Sequence, residues 1–467
     1  LSPAQTTRRL AAGSRRLEQL AANMQALVCT WALRLMAGTQ TAFRRTLLTP
    51  GVCAVISSSQ RKSPMPLFCE DIAGAGVRPI LIVLSHLRWD FVMQRPHHVL
   101  NRAAADFDIW FMEEPVIEGS IAMVREMSRG AGITVVQPVV PAGTSTADAL
   151  AHQGEIAARL AAKAGSGAGS APVCLWYYAP MARAFGQHLS ADLVIYDKIS
   201  EPAAFAFAPP DLAGHDAALL READVVFTGG ASLQIAASLH RSDAHCFPSS
   251  IDAVHFGHAR DRGLADPESQ RMIAHPRLGY FGVIDERMDL ALIAEVAALR
   301  PDWQFVMIGP TARIDPDSLP KVSNIHWLGA RPYASLPHYM AHWDLAWMPF
   351  ARNEATRHIS PTKTPEFLAA GLPVISTPIA DVISSYGRLG LVEIAIDAAD
   401  VVACAKQILE NAADPVQHRS RLAAVDAHLA GDSWDATWAA MRGLIAAAAQ
   451  TTPLPARQQA ERSSAHV

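Results

Sequence analysis

From Arg78 onward, short apolar runs alternate with amphipathic stretches. The run ILIVLS (80–85) is continuously apolar, the pattern of a strand buried on both faces of a parallel sheet. A helix is expected from about Arg95. The runs DIWFME (108–113), ITVVQP (133–138), VCLWYY (173–178), DLVIYD (192–197) and DVVFTGG (224–230) then continue the series, with helical segments between most of them. A second series starts near Arg277 with LGYFG (278–282), QFVMIG (304–309), NIHWLG (324–329), DLAWMPF (344–350) and PVIST (373–377). Such alternation predicts an α/β protein with two doubly wound parallel sheets. Between the series, His255 to Pro276 contains the polar, turn-rich RDRGLADPESQ, which marks a domain boundary. The expected domains are therefore 78–255 and 277–396, followed by helices over 397–450 and a disordered tail over 451–467. Within the first domain, AAKAGSGAGS (161–170) reads as a linker.

Ligands of doubly wound sheets bind beyond the carboxyl ends of the strands, which places Ser85, His86, Asp197 and Thr228 to Gly230 on the cleft side. The stretch HISPTKTPEFLAAGLP (358–373) concentrates the candidate chemistry. It reads as a loop followed by a helix of about two turns, stopped by Gly371 and blocked by Pro373. Lys363 and Glu366 are about one turn apart, so both can face one cleft, and a helix start beside a lysine suits an anion. A cation for phosphate and a carboxylate for ribose hydroxyls fit a nucleoside diphosphate. An ordinary capped helix with solvated Lys363 and Glu366 fits the same spacing equally well.

The segment from Ser360 to Pro373 resembles the nucleotide-sugar-binding signature of GT-B-fold retaining glycosyltransferases, the group that includes glycogen and sucrose synthases. That signature reads P-x-K-x-x-E-[FY]-[LM]-A-x-G-x-P-V, and every fixed position from Pro361 to Val374 is filled. SHLRWDFVMQRPHHVL (85–100), YDKISE (196–201), FTGGASL (227–233), CFPSSIDAVHF (246–256) and GYFGVIDERMD (279–289) resemble a bacterial subgroup of the same transferases. The resemblance covers roughly Pro79 to Leu409.

The resemblance implies two facing Rossmann-like domains, the first on the acceptor side and the second on the donor side, with the last helix crossing back to the first. It implies transfer of a sugar from a nucleoside-diphosphate-sugar to a hydroxyl acceptor, with retention and with no metal or other cofactor. Gly282, Pro361, Thr362, Lys363 and Glu366 are the implied donor-binding residues. Relatives have a diphosphate-binding arginine directly after the glycine; here Val283 stands there and Arg287, in the same loop, is the substitute. His86 is the implied residue at the sugar or acceptor. His358 stands where many relatives place a sugar-side glutamate, and Ser200 replaces an acid of the subgroup. The implied acceptor is a glycan or a lipid-linked molecule of surface polysaccharide assembly, met in the cytoplasm with peripheral membrane contact. A nucleotide-sugar epimerase or phosphorylase of the same fold, or a non-catalytic donor-binding subunit, remains an alternative.

Composition adds mainly exclusions. The 467 residues suffice for two cored domains, and a net charge of −4 gives no electrostatic case for nucleic acid. The six cysteines lack C-x-x-C spacing, so neither a zinc site nor a disulfide framework is suggested. His97 and His98 lack an evident third ligand and Arg95 reads as structural, while DFD (106–108) and DPD (315–317) sit wrongly for a metal-diphosphate motif. Residues 1–64 hold nine basic residues and one acid, Glu18, and are expected to form a non-core extension of low order. Their apolar run, Met24 to Ala37, is too short to span a bilayer.

Overall fold

The computed structural model describes residues 78–164, 171–205, 208–261 and 263–451. The basic extension, residues 165–170 of the expected linker and the tail after Thr451 lie outside the described residues.

The first sheet contains β1 (Ile80–Leu84), β2 (Asp108–Met112), β3 (Val116–Ile117), β4 (Met123–Ser128), β5 (Ile133–Val140), β6 (Val173–Tyr177), β7 (Leu193–Lys198), β8 (Val225–Thr228) and β9 (His245–Cys246). They lie in the order β3-β5-β2-β1-β6-β7-β8-β9, with β4 antiparallel on β5. The second sheet contains β10 (Arg277–Phe281), β11 (Gln304–Ile308), β12 (Ile325–Gly329), β13 (Leu345–Met348), β14 (Val374–Ser376) and β15 (Glu393–Ile394), in the order β12-β11-β10-β13-β14-β15. Every pairing in it is parallel.

Both sheets reverse strand order beside their first strand, between β1 and β6 and between β10 and β13. Such a switch point opens a crevice at the carboxyl ends. The register brings the strand ends level, because Leu84 pairs with both Met112 and Tyr177, and Phe281 pairs with Ile308. The loops that follow therefore emerge side by side. Central strands are buried along their whole length, as parallel strands covered on both faces must be; β6 and β10 are examples.

Each apolar run named from the sequence contains a strand. Four further strands (β3, β4, β9 and β15) come from stretches without such a run. In β4, MVREMS is exposed or half-buried throughout, as an edge strand is, so hydrophobicity does not announce it.

Four helices matter for the site: α1 (Arg95–Ala103), α2 (Thr146–Ala164), α3 (Lys363–Ala369) and α4 (Trp434–Thr451). Helix α2 runs through Ala161–Ala164, which the sequence assigned to the linker; alanine-rich chain propagates a helix at little entropic cost. In α1, Arg95 forms a buried bidentate ion pair with Asp197 (3.0 and 3.2 Å), which ties the helix to the end of β7. His97 spends both ring nitrogens on structure: Nδ1 accepts from Gln94 N–H (3.0 Å) and Nε2–H donates to Trp89 O (2.7 Å). The two acids of DFD are also engaged. Asp106 accepts from Trp438 Nε1 (3.1 Å), and Asp108 pairs with Arg78 (3.1 Å). No helix among the described residues is long and apolar enough to cross a membrane.

Helix α4 returns to the first sheet, where Trp434, Trp438, Met441 and Ile445 join the core built on Leu81, Val83, Ile195 and Phe227. Its first residue stacks face to face on His98 of α1, with ring centroids 4.7 Å apart and planes 1° off parallel. Burial, with Arg102 nearby, pushes the His98 imidazole down to about 4. The unfolded chain therefore takes up this proton first, so the contribution is intact above about pH 6.5 and is lost as pH falls toward 4. At most about 3 kcal/mol of stability is at stake. Urea unfolding of wild type and His98→Phe across this window should show a shallower acid loss in the variant. Identical pH profiles would mean that His98 is not buried uncharged.

Candidate functional site

A cleft of about 1070 Å³ lies between the carboxyl ends of the two sheets, with His86, Phe205, Gly282, Arg313, Lys363 and Trp434 among its lining. Its floor on the second side is a backbone contact. Gly309, at φ 151°, approaches Gly282, at φ 152°, so closely that a Cβ on Gly309 would stand 1.7 Å from Gly282 O. Gly282 N–H also donates to Ile308 O (2.9 Å). Beyond the glycines, Ile284 N–H donates to Pro310 O (3.0 Å) and Ala312 N–H to Ile284 O (3.0 Å), so the loops after β10 and β11 are tied together through their backbones.

Helix α3 sets Lys363 and Glu366 side by side, with Nζ 2.5 Å from Oε2. The Lys363 ammonium also lies 4.3 Å from the Phe281 ring centroid. Glu366 is buried, and desolvation raises its carboxyl pKa while Lys363 draws it back. The helix start contributes less than its sequence suggests: Thr364 N–H already donates to Pro361 O (3.2 Å) and Glu366 N–H reaches Thr362 O (3.4 Å). The charge at this helix start is therefore chiefly that of the lysine side chain.

The glycosyl transferases group 1 profile matches residues 275–414, which span the second sheet and α3. A curated relative assigned to teichuronic acid biosynthesis as a glycosyltransferase, TuaH of Bacillus subtilis (strain 168), is 36% identical over 103 residues. That is 21% of this chain and 26% of the relative, so the chain spans about a quarter of the length of the curated relative it matches. Among solved structures, sucrose-phosphate synthase from Thermosynechococcus elongatus superposes with a TM-score of 0.61 at 15% identity, covering 79% of this chain and 98% of that one. The E. coli trehalose-6-phosphate protein bound with UDP-2-fluoro-glucose superposes with a TM-score of 0.54 at 13% identity, covering 78% and 98%.

The chain has the GT-B fold, and its domain over residues 275–414 is similar to the glycosyl transferases group 1 family.

That domain brings Gly282, Arg287, Pro361, Thr362, Lys363 and Glu366 to one side of the cleft. Arg287 is already engaged: Nε and Nη2 grip the buried Asp285 at 2.6 to 3.1 Å, which leaves Nη1 for a ligand. Arg331, after β12, also lines the cleft, with Nε donating to Tyr339 OH (2.8 Å). Across the cleft, His86 Nδ1 lies 3.1 Å from Tyr178 O. A carbonyl only accepts, so Nδ1 carries the proton and Nε2 keeps its lone pair. Burial and the Arg313 charge push this imidazole down to about 4, so it is neutral near pH 7. His358 is not among the residues that line the cleft; its Nδ1 is buried without a hydrogen-bond partner, while Ile359 and Ser360 reach the cleft in its place. Among the described residues, no group of three His, Cys, Asp or Glu side chains comes together as metal ligands would.

Phe205, Arg313, Tyr333 and Trp434 are among the lining residues that the sequence reading did not single out. Tyr333 is sandwiched on His255 (centroids 4.3 Å, 10°), and its buried hydroxyl has no partner. Arg313 follows the carboxyl end of β11, so the strand-end rule applied to β11 would have found it.

The glycine floor generates a stability test. A Cβ on Gly309 meets backbone rather than a flexible side-chain end, at a φ that favours glycine. Gly309→Ala should destabilise the protein by about 3 kcal/mol or more, seen as a lower thermal or urea midpoint. An unchanged midpoint would mean that the two loops do not meet as described.

Proposed function

We propose that this cleft binds a nucleoside-diphosphate-sugar and transfers its sugar to a hydroxyl acceptor. The observation that carries the proposal is the buried Glu366 carboxylate, paired with Lys363 beside the glycine floor. A carboxylate out of water needs donors, and two adjacent ribose hydroxyls supply them. Lys363 then turns to the diphosphate. The group 1 profile and the fold neighbour solved with UDP-2-fluoro-glucose support the same donor class.

In the reaction, the bond from the sugar anomeric carbon to the diphosphate oxygen breaks and a bond to the acceptor oxygen forms. The acceptor proton leaves with the diphosphate. Lys363 and the free edge of Arg287 stabilise the charge that grows on the leaving group, a task that preorganised cations perform well in a water-poor cleft. Neutral His86 offers Nε2 as an acceptor for a substrate hydroxyl from the opposite wall. Retention of configuration, metal independence and an acceptor that is a glycan or a lipid-linked molecule, met by peripheral membrane contact in the cytoplasm, complete the reading. The relative from teichuronic acid biosynthesis supports the polysaccharide context. His358 is not among the lining residues, although its neighbours Ile359 and Ser360 are, so a sugar-side carboxylate has no counterpart in the lining at that position. Binding without transfer is therefore the second reading, and turnover decides between the two.

Titration calorimetry with a nucleoside diphosphate and its nucleoside tests the binding roles. Lys363→Ala should weaken the diphosphate roughly ten- to a hundredfold and barely touch the nucleoside. Glu366→Ala should weaken both by about 1–3 kcal/mol. Equal losses of both ligands on Lys363→Ala would make that residue a fold support, and undiminished binding to Glu366→Ala would put the nucleotide elsewhere.

Sugar transfer should also persist in EDTA. Silencing by EDTA with rescue by magnesium or manganese would show that protein cations do not suffice.

A further inference from the structure

We infer that Arg313 is a second anion anchor in this cleft, holding a phosphate or carboxylate carried by the acceptor. The inference rests on the donor reading above and names the chemistry of the other substrate.

Five arginines line the cleft: Arg88, Arg95, Arg287, Arg313 and Arg331. Four are committed. Arg88 pairs with Glu113 (3.1 Å), Arg95 with Asp197 (3.0 Å) and Arg287 with Asp285 (2.6 Å), while Arg331 donates to Tyr339 OH (2.8 Å). Arg313 makes no hydrogen bond or ion pair among the described residues. Its guanidinium rests instead 5.6 Å from the centroid of Phe205, a ring supplied by the first domain. A guanidinium laid on an aromatic face keeps its N–H edge available for a planar or tetrahedral anion.

The backbone carries the same signal. Arg313 is the non-glycine residue held at a left-handed φ, 59°, among the described residues, a conformation that costs a side-chain-bearing residue free energy. The bonds between Ala312 and Ile284 and between Ile284 and Pro310 hold the loop against the β10 loop, so the geometry is imposed rather than drifting. It directs the cation toward the first domain. The groups that feel the Arg313 charge are His86 and Glu114, both on that wall; Glu366 feels Lys363 instead. His86 is neutral, and Glu114, whose carboxyl pKa burial raises, feels Arg313 only at a distance and forms no ion pair with it, so no carboxylate holds the guanidinium. The donor diphosphate already has Lys363 and Arg287 on the other wall. An anion that belongs to the acceptor satisfies what remains.

The test uses the full chain saturated with whichever of UDP, GDP, ADP or dTDP it binds. Calorimetry then compares glucose, glucose 6-phosphate and glucuronate as acceptor probes on wild type, Arg313→Ala, Arg313→Gly and Arg313→Lys. The glycine variant removes the side chain while relaxing the left-handed backbone, and unchanged unfolding midpoints check the fold. At least one anionic probe should bind wild type roughly tenfold or more tighter than glucose. Arg313→Ala and Arg313→Gly should both erase that margin, Arg313→Lys should restore part of it, and nucleoside diphosphate affinity should stay within about twofold. The assignment is overturned if glucose binds as well as the anions, if neither anion binds, or if the margin survives in both truncations. It is also overturned if truncation weakens the nucleoside diphosphate to the same degree, which would assign Arg313 to the donor. Failure to bind any of the four nucleotides sinks the donor reading first, and this one with it.

Discussion

The apolar ridge of the last helix is the constraint on which the facing arrangement depends. Trp434, Trp438, Met441 and Ile445 recur at spacings of four, three and four, one face of an α-helix, and that face is buried on the first sheet. The chain reaches this helix only after completing the second sheet, so its docking ties the end of one domain to the core of the other. Each large side chain contributes about 1.5–3 kcal/mol when fully buried. Polar contacts fix the helix azimuth: Trp438 donates to Asp106, and Arg102 pairs with Asp435 at 2.6 Å. With the helix seated, the carboxyl ends of both sheets border one cleft. Trp434 belongs to strap and cleft at once, stacked on His98 where the helix begins.

Within that cleft the charges are arranged so that the ligand-free protein tolerates them. Burying a carboxylate costs several kcal/mol unless a partner is at hand, and Glu366 has Lys363 in contact. The pair spans three residues of one short helix, so forming it fixes few additional torsions. On the proposed donor reading, a ribose and diphosphate take over both halves of the pair, exchanging one set of polar contacts for another rather than stripping charges bare. Asp285 does the same for Arg287. Arg313 has only an aromatic ring, and the contrast between paired and unpaired cations gives the two walls of the cleft different chemical tasks.

Much of the fold was legible because buried parallel strands leave long apolar runs, and the second sheet is the plainest case. The strands that were missed, β3, β4, β9 and β15, are short or lie at sheet edges, where solvent erases the hydrophobic signal. The Lys363–Glu366 face was legible because it depends on one helical turn, a local geometry that spacing predicts. The engagement of Arg287 by Asp285 is equally local, two residues apart, yet spacing in a loop does not say which way a fork turns. The placement of His358 outside the cleft was not legible at all: residue spacing along a loop does not report side-chain direction.

The wall built by the first domain was the harder half for a physical reason. Its residues come from separated loops, and their meaning depends on contacts between the domains. Gly230 shows this. The strand-end rule put it on the cleft side, and in the structure the position serves domain contact: a Cβ there would stand 2.2 Å from Asp381 Oδ2 and 2.7 Å from Ser360 Cβ. The space that glycine leaves lets Asp381 of the second domain accept from Ser232 N–H of the first (3.0 Å). Ser360 opens the loop that carries Lys363, so this wall of the cleft touches the first domain close to Lys363. Phe205 makes the reciprocal contact, reaching from the first domain to Arg287 and Arg313 of the second. Residues of this kind have no local pattern to betray them, since each acquires its role from a partner far along the chain, in the other domain. Local periodicity therefore yields the half of a two-domain site that lies on one helix, and the half that spans the cleft becomes visible only when both sheets are in place.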